Sequence, residues 1–175
     1  QAGDPGAAFN LAVCLRGGVG GVTDPVQAAS WMERAANAGV VNAEYWYGRM
    51  LLDGEGVATD VAHARHWLER AAGHGLAEAC VAAAQLRLEG RGGPRDHAGA
   101  LVLYHRAARS GRTDAMFSLG AMYGGGHDVP PDRVQALHWF TQGAEGGNAL
   151  SQLMLGRYLA RGLAGPMDRA RARYW

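Results

Sequence analysis

The chain has 175 residues, with 17 basic side chains against 16 acidic ones and a formal net charge of +1. That balance offers no basic face for nucleic acid and no block of like charges that reads as a tail. No apolar run approaches the roughly 18 residues that span a bilayer, no secretory-leader pattern is visible, and two cysteines are too few for a disulfide framework.

Every basic residue is arginine, and isoleucine is absent as well. GC-rich coding accounts for this, so the arginines are not read as chosen for bidentate chemistry unless their position argues for it. Cys14 and Cys80 read as small buried apolar side chains.

A fixed period organises the chain. Asp24, Asp60, Asp96, Asp132 and Asp168 are each 36 residues apart, as are Ala28, Ala64, Ala100, Ala136 and Ala172. Trp31, Trp67, Trp139 and Trp175 share one register, with Leu103 in the remaining place. Gly18, Gly54, Gly90, Gly126 and Gly162 form another series, and Gly39, Gly75, Gly111 and Gly147 a fifth. Such self-similarity identifies a repeat architecture before any single element is assigned.

In chain order, residues 1–3 occupy the register of Asn37-Ala38-Gly39 and read as the tail of a preceding repeat. Repeat one covers 4–39. Its glycine-rich stretch Gly17-Gly18-Val19-Gly20-Gly21 lacks the Lys-Ser/Thr of a phosphate loop and falls where every repeat has its inter-helix loop. Asp24-Pro25 then marks a helix start, with the aspartate as N-cap and the proline at the first helical position.

Repeat two, 40–75, shows the unit most clearly. Ala43, Tyr47, Met50 and Leu51 lie on one face of a helix A running from about Val41 to Asp53. Gly48 is on the same side, and its register mates are Ala12, Ala84, Gly120 and Gly156. A position that is always glycine or alanine marks close approach of two helix backbones. Gly54 is suited to ending helix A in the left-handed conformation, and Asp60 caps the next helix. Helix B runs from about Val61 to His74 and buries Ala64, Trp67, Leu68, Ala71 and Ala72. Gly75 and Leu76 end it in a Schellman-type stop.

Repeat three, 76–111, departs from the pattern at Arg87 and Leu103. Repeat four, 112–147, departs at Gly143, which replaces the first alanine of the helix-B pair. These three positions read as local soft spots. Repeat five, 148–175, is partial, because Trp175 falls in the middle of a helix B. Neither end carries a polar capping repeat, so the parent protein is expected to continue on both sides, and the uncapped ends are open to end-to-end association.

One helix pair cannot bury its apolar faces alone, whereas stacked neighbours can. The fold class expected is all-α: an α/α superhelix, or solenoid, of 36-residue helix–turn–helix repeats forming a single array over 1–175.

The repeating pattern is carried best by Ala43, Gly48, Gly54, Gly56, Val57, Asp60, Ala64, Trp67, Ala71, Ala72 and Gly75. It resembles the Sel-one-like repeat (SLR) family, a relative of the tetratricopeptide repeat, over four full repeats and most of a fifth. The resemblance implies a bacterial adaptor or scaffold that holds a protein or peptide partner without catalysis, cofactor or metal. The cysteine-rich branch of the family carries one disulfide per repeat. This chain lacks those cysteines, and Cys14 and Cys80 lie two repeats apart, so no bridge is expected.

In solenoids of this kind helix A lines the concave surface. The groove-facing positions are then Asn42, Tyr45, Arg49 and Leu52 in repeat two, and Glu78, Val81, Gln85 and Leu88 in repeat three. Asp114 and Phe117 follow in repeat four, with Ala121 and Gly124 making a shallow place, and Leu150, Leu153, Arg157 and Arg161 in repeat five. One register is apolar or aromatic throughout: Phe9, Tyr45, Val81, Phe117, Leu153. Such a stripe with mixed polar margins suits a peptide, and the alternative reading is packing against the neighbouring repeat.

His63 and His66 lie three apart on helix B, but nothing completes the three or four ligands of a zinc site. Arg157, Arg161, Arg169, Arg171 and Arg173 make the last repeat basic, opposed by Asp168 alone. A recruiting or regulatory module of a larger enzyme or membrane sensor is the second functional reading, and a hydrolase or small-molecule binder the third. The composition does not separate periplasm from cytoplasm.

Overall fold

The computed structural model describes residues 4–19, 21 and 23–175. The expected tail of a preceding repeat, 1–3, and Gly20 of the first glycine loop lie outside the described residues. Among the described residues all regular structure is helical. Repeat one contributes α1 (Pro5–Gly17) and α2 (Pro25–Asn37), repeat two α3 (Val41–Asp53) and α4 (Val61–Gly73), and repeat three α5 (Ala77–Glu89) and α6 (His97–Arg109). Repeat four contributes α7 (Thr113–Ala121) and α8 (Arg133–Glu145), and repeat five α9 (Ala149–Arg161) and α10 (Arg169–Tyr174). The chain divides into two compact units, Gln1–Arg95 and Asp96–Trp175.

The starts of the B helices follow from the aspartate series. Each Asp side chain accepts from an amide in the first turn: Gln27, His63, Gly99, Gln135 and Arg171, at 2.8–3.0 Å. At the end of α4 the Leu76 amide donates to the Ala71 carbonyl at 3.3 Å and the Gly75 amide to Ala72 at 3.0 Å. That is the Schellman pattern, and Gly75 supplies its left-handed residue with φ of 91°.

In the first unit the core is built from Ala8, Ala12, Met32, Ala43, Tyr47, Met50, Ala64 and Trp67 with their neighbours, as the register requires. The second unit gathers around Ala136, Phe140, Leu155, Tyr158 and Leu159. The expected close approach is present. A Cβ on Gly48 would lie 2.9 Å from Leu68 Cγ and 3.2 Å from the Ala64 carbonyl, and one on Gly120 would lie 2.5 Å from the Phe140 ring. The tryptophan series is less uniform than expected: Trp67 is buried, whereas Trp31, Trp139 and Trp175 are half-buried. Cys80 is buried and Cys14 half-buried, and both are free thiols.

Repeat four departs from the sequence expectation. Helix α7 stops at Ala121, Met122–Gly126 runs on as a wider π turn, and the left-handed residue is Gly125 rather than Gly126. The loop that follows explains it. In repeats two and three, Gly56 and Gly92 lie so close to the backbone of Pro25 and Val61 that an added Cβ would overlap it. Repeat four has Asp128 at that position, which cannot sit so close to the start of α6. Its carboxylate instead reaches His97 Nδ1 at 3.2 Å, and the chain gains the needed slack in the π turn.

The three expected soft spots are filled. Leu103 is buried. Arg87 donates to Glu69 at 2.8 Å, and Arg65 reaches the same carboxylate oxygen at 2.9 Å. Gly143 is buried with Ser151 against it: a Cβ there would lie 2.4 Å from Ser151 Oγ. Ser151 stands in the register of Ala43, Ala79 and Ala115, so serine opposite glycine replaces alanine opposite alanine.

Candidate functional site

The candidate residues of the first unit sit on α1, α3 and α5, one helix A per repeat. Phe9, Tyr45 and Val81 are half-buried, as are Arg49 and Glu78, while Asn42 and Gln85 are exposed. Phe9 leans on the core cluster of this unit. Tyr45 stands edge-on to Trp46 at 5.2 Å and accepts from Arg49 Nη1 at 3.4 Å. Arg49 also faces Asp53 at 3.5 Å, one turn further along the helix.

Sequence reasoning missed the neighbouring cleft. Val13, Arg16 and Gly17 of α1, Met32 of α2, Trp46 of α3 and Glu55 line an open depression of about 350 Å³. The Arg16 guanidinium lies over the Trp46 indole, 4.5 Å from its centroid, while its Nε donates to Glu55 at 2.7 Å. The Glu55 contact holds Arg16 charged, with its pKa raised despite the cost of burial. A signal was present in the sequence. Trp46 is a lone aromatic in a register otherwise filled by Asn10, Ala82, Ser118 and Met154.

A second missed feature is Glu44, wholly buried in the first turn of α3. Arg70 Nε lies 2.9 Å from Glu44 Oε1, and His74 Nε2 is 3.8 Å from the same oxygen. Its register mates Ala8, Cys80, Met116 and Gln152 carry no charge.

The candidate residues of the second unit sit on α7 and α9. Asp114 and Phe117 are half-buried, and Leu153 and Arg157 are exposed. Phe117 packs on Phe140 with ring centroids 6.1 Å apart, so it is anchored in this unit's core rather than free-standing. Arg112 Nη2 donates to Asp114 at 2.6 Å, and that contact, outweighing burial, holds the carboxyl below its usual range. Arg157 is 3.8 Å from Met154 Sδ.

Polar pairs join helix B of one repeat to helix A of the next. In the first unit burial, reinforced by the nearby Glu33 carboxylate, pushes the Tyr47 phenol up to about 12. Glu69 takes Arg87 and Arg65. Burial works to raise its carboxyl, but the two guanidiniums together hold it below the usual range. In the second unit His105 Nε2 lies 3.0 Å from the Tyr123 hydroxyl and 5.3 Å, ring to ring, from Trp139. Burial, with Arg109 as a smaller cause, lowers the His105 pKa.

His63 is committed to the Asp60 carboxylate at 2.6 Å. Among the described residues no group of three His, Cys, Asp or Glu side chains is arranged to hold a metal ion. No described helix is long and apolar enough to cross a membrane.

A family profile, the Sel1 repeat, matches residues 5–40, 41–76, 77–111, 113–148 and 149–175. The chain is similar to a protective antigen of uropathogenic Escherichia coli with an SLR fold, at 32% identity and a TM-score of 0.94, covering 99% of this chain and 37% of that one. It is also similar to a Sel1 repeat protein of Oxalobacter formigenes, at 30% identity and a TM-score of 0.88, covering 98% of this chain and 70% of that one. A Klebsiella pneumoniae Sel1 repeat protein shares the fold at 24% identity and a TM-score of 0.59, covering 99% and 85%. No curated protein matches the chain significantly. The chain therefore spans little more than a third of the E. coli antigen's length. Its fold class is that of these neighbours, an all-α helical-repeat superhelix. Proteins built from such repeats generally act as non-catalytic protein-interaction scaffolds. With five matches in register across nearly its whole length, the chain belongs to the Sel1-repeat family.

Proposed function

We infer that the chain is a non-enzymatic interaction module that holds a peptide or protein segment against the outward-facing residues of its helix-A series. One observation carries the reading. In α3 the apolar positions Ala43, Tyr47, Met50 and Leu51 close into the core, yet the Phe9, Tyr45, Val81, Phe117 and Leu153 register stays half-buried or exposed in every repeat. Apolar anchors left accessible beside Asn42, Arg49, Glu78, Gln85, Asp114 and Arg157 provide contact area with polar groups that set register. The Trp46–Arg16 cleft adds a rigid aromatic wall beside Tyr45 in the first unit. On this reading residues 1–175 form one array of four whole repeats and a partial fifth, with the partner on its concave side.

The test is capture with the wild-type chain and with a Tyr45→Ala/Phe117→Ala variant, each checked by far-ultraviolet circular dichroism. The reading expects a partner that the wild type retains and the variant loses while helix content stays unchanged. A variant that loses its helix content shows those side chains to be core, and a partner retained equally by both places binding elsewhere.

A further inference from the structure

The outer face of α9 is unlike that of the other A helices. Leu150, Leu153, Arg157 and Arg161 are spaced three, four and four residues apart, which puts them in one stripe about 16 Å long and roughly 80° wide. The buried residues of α9, Ser151, Leu155, Tyr158 and Leu159, point the other way. Leu150 and Leu153 are 55% and 57% exposed, and both arginines are exposed. In the same unit the register mate of Leu153, Phe117, is half-buried against Phe140.

The electrostatics of this stripe are one-sided. Helix α9 contains no acidic residue. Among the described residues Arg157 meets only the Met154 sulfur, and neither Arg157 nor Arg161 forms an ion pair. Three more arginines follow on α10, at 169, 171 and 173. The flanking acids in sequence are Glu145, before α9 at the leucine end, whose carboxylate accepts from Gln142 at 3.5 Å, and Asp168, whose carboxylate is engaged by the Arg171 backbone amide as a helix cap. Two exposed leucines in line with two unneutralised guanidiniums form an amphipathic docking strip whose complement is apolar at one end and acidic at the other.

We propose that this face of α9 docks an acidic amphipathic helix of a partner protein, with two apolar side chains on Leu150 and Leu153 and carboxylates on Arg157 and Arg161. This deepens the interaction reading above and rests on it. Arginine suits the role, since its planar fork pairs with a carboxylate through two parallel hydrogen bonds.

The probes are two synthetic helical peptides that share a pair of leucines three residues apart. One continues with glutamates at the next two four-residue steps, the other with lysines. Binding to the full chain is followed by fluorescence anisotropy at low and at high salt. The expected result is a preference for the glutamate peptide of about tenfold at low ionic strength, shrinking as salt rises. Arg157→Glu/Arg161→Glu should invert that preference with helix content unchanged. Equal binding of both peptides, binding of neither, or a preference that survives the charge reversal overturns the proposal. So does sedimentation showing that the wild type self-associates and the charge-reversed variant does not, since the face then belongs to a second copy. Loss of a captured partner in the Tyr45→Ala/Phe117→Ala variant alone, with no response to the charge reversal, would leave the interaction reading standing and remove this one.

Discussion

Two glycines in equivalent positions should respond to alanine with opposite signs. Gly120 and Gly156 share the register that repeats one and three fill with Ala12 and Ala84, so the helical backbone there accepts a Cβ. Replacing a helix-interior glycine by alanine contributes about 1 kcal/mol of stability when space permits. At Gly156 the nearest atom to the new Cβ is the Ala172 carbonyl oxygen at 3.5 Å, an ordinary contact, so Gly156→Ala should stabilise by most of that amount. At Gly120 three atoms of the Phe140 ring would lie 2.5, 2.6 and 2.9 Å away, and Phe140 is fully buried. Overpacking of this kind costs about 1–3 kcal/mol, and a rigid ring with no free volume belongs at the upper end. Gly120→Ala should therefore destabilise by about 2 kcal/mol after the helical gain is subtracted. Both residues lie in the second unit, so urea unfolding followed by far-ultraviolet circular dichroism compares the two variants against the same surroundings. The expected separation is about 3 kcal/mol between the variants, read as opposite shifts in midpoint at constant slope. Shifts of the same sign and size would show that the packing argument is wrong.

Arg70→Ala should cost about 2 kcal/mol in the first unit, because it leaves the wholly buried Glu44 carboxylate without its 2.9 Å partner while His74 remains as a weaker one. The Glu44→Ala/Arg70→Ala double variant should recover most of the loss in a double-mutant cycle, since Ala8 fills that register in repeat one. Gly143→Ala should destabilise by about 2 kcal/mol through its clash with Ser151. Adding Ser151→Ala should recover part of that loss, because the 2.4 Å Oγ clash and a buried hydroxyl without a partner are then gone while the two Cβ atoms still meet at 2.9 Å; thermal melts of both variants and the wild type check this. His105 should make the second unit more stable as pH rises. Its folded pKa lies below its unfolded value of about 6.5, so the unfolded chain binds the proton first and stability falls as pH drops through 6.5 and below. Melting curves between pH 5 and 7.5 should be flatter for His105→Gln than for the wild type.

The B helices were legible because local chemistry marks them, aspartate at the start and alanine or glycine where backbones meet. Helices α3, α5 and α7 instead begin at Val40, Leu76 and Arg112 with no side-chain cap, and were read from the glycine that ends the preceding helix B and from the apolar register. The π turn of repeat four was not, because it depends on whether residue 128 can press against the start of a helix more than thirty positions earlier, which no local window contains. Gly143 looked like a defect for a related reason. Its meaning lies in Ser151, and the two positions have to be read together. Glu44 reads from sequence as an ordinary acidic residue in a first turn, favoured there by the helix dipole. Only its uncharged register mates hint that the position faces inward. For the candidate site, the register shows which residues face away from the core, but how much of each stays open depends on what the neighbouring helix carries, as the contrast between Phe117 and Leu153 shows.

The junction pairs bear on how such a chain finds its own order. Near-identical repeats invite misassembly, in which a helix pair docks one period out of place and still buries alanine against alanine. Here three of the four described junctions each use a different polar pair: Glu33 with Tyr47, Glu69 with Arg87, and His105 with Tyr123. At the fourth, Gln152 of α9 donates to the Ala144 carbonyl of α8. A slip of one period would put His105 against Arg87 and Glu69 against Tyr123, setting a cation beside a desolvated imidazole and leaving a carboxylate without its matching guanidinium. The small residues make the repeats stackable, and the varied pairs act as addresses that make the stacking order unique.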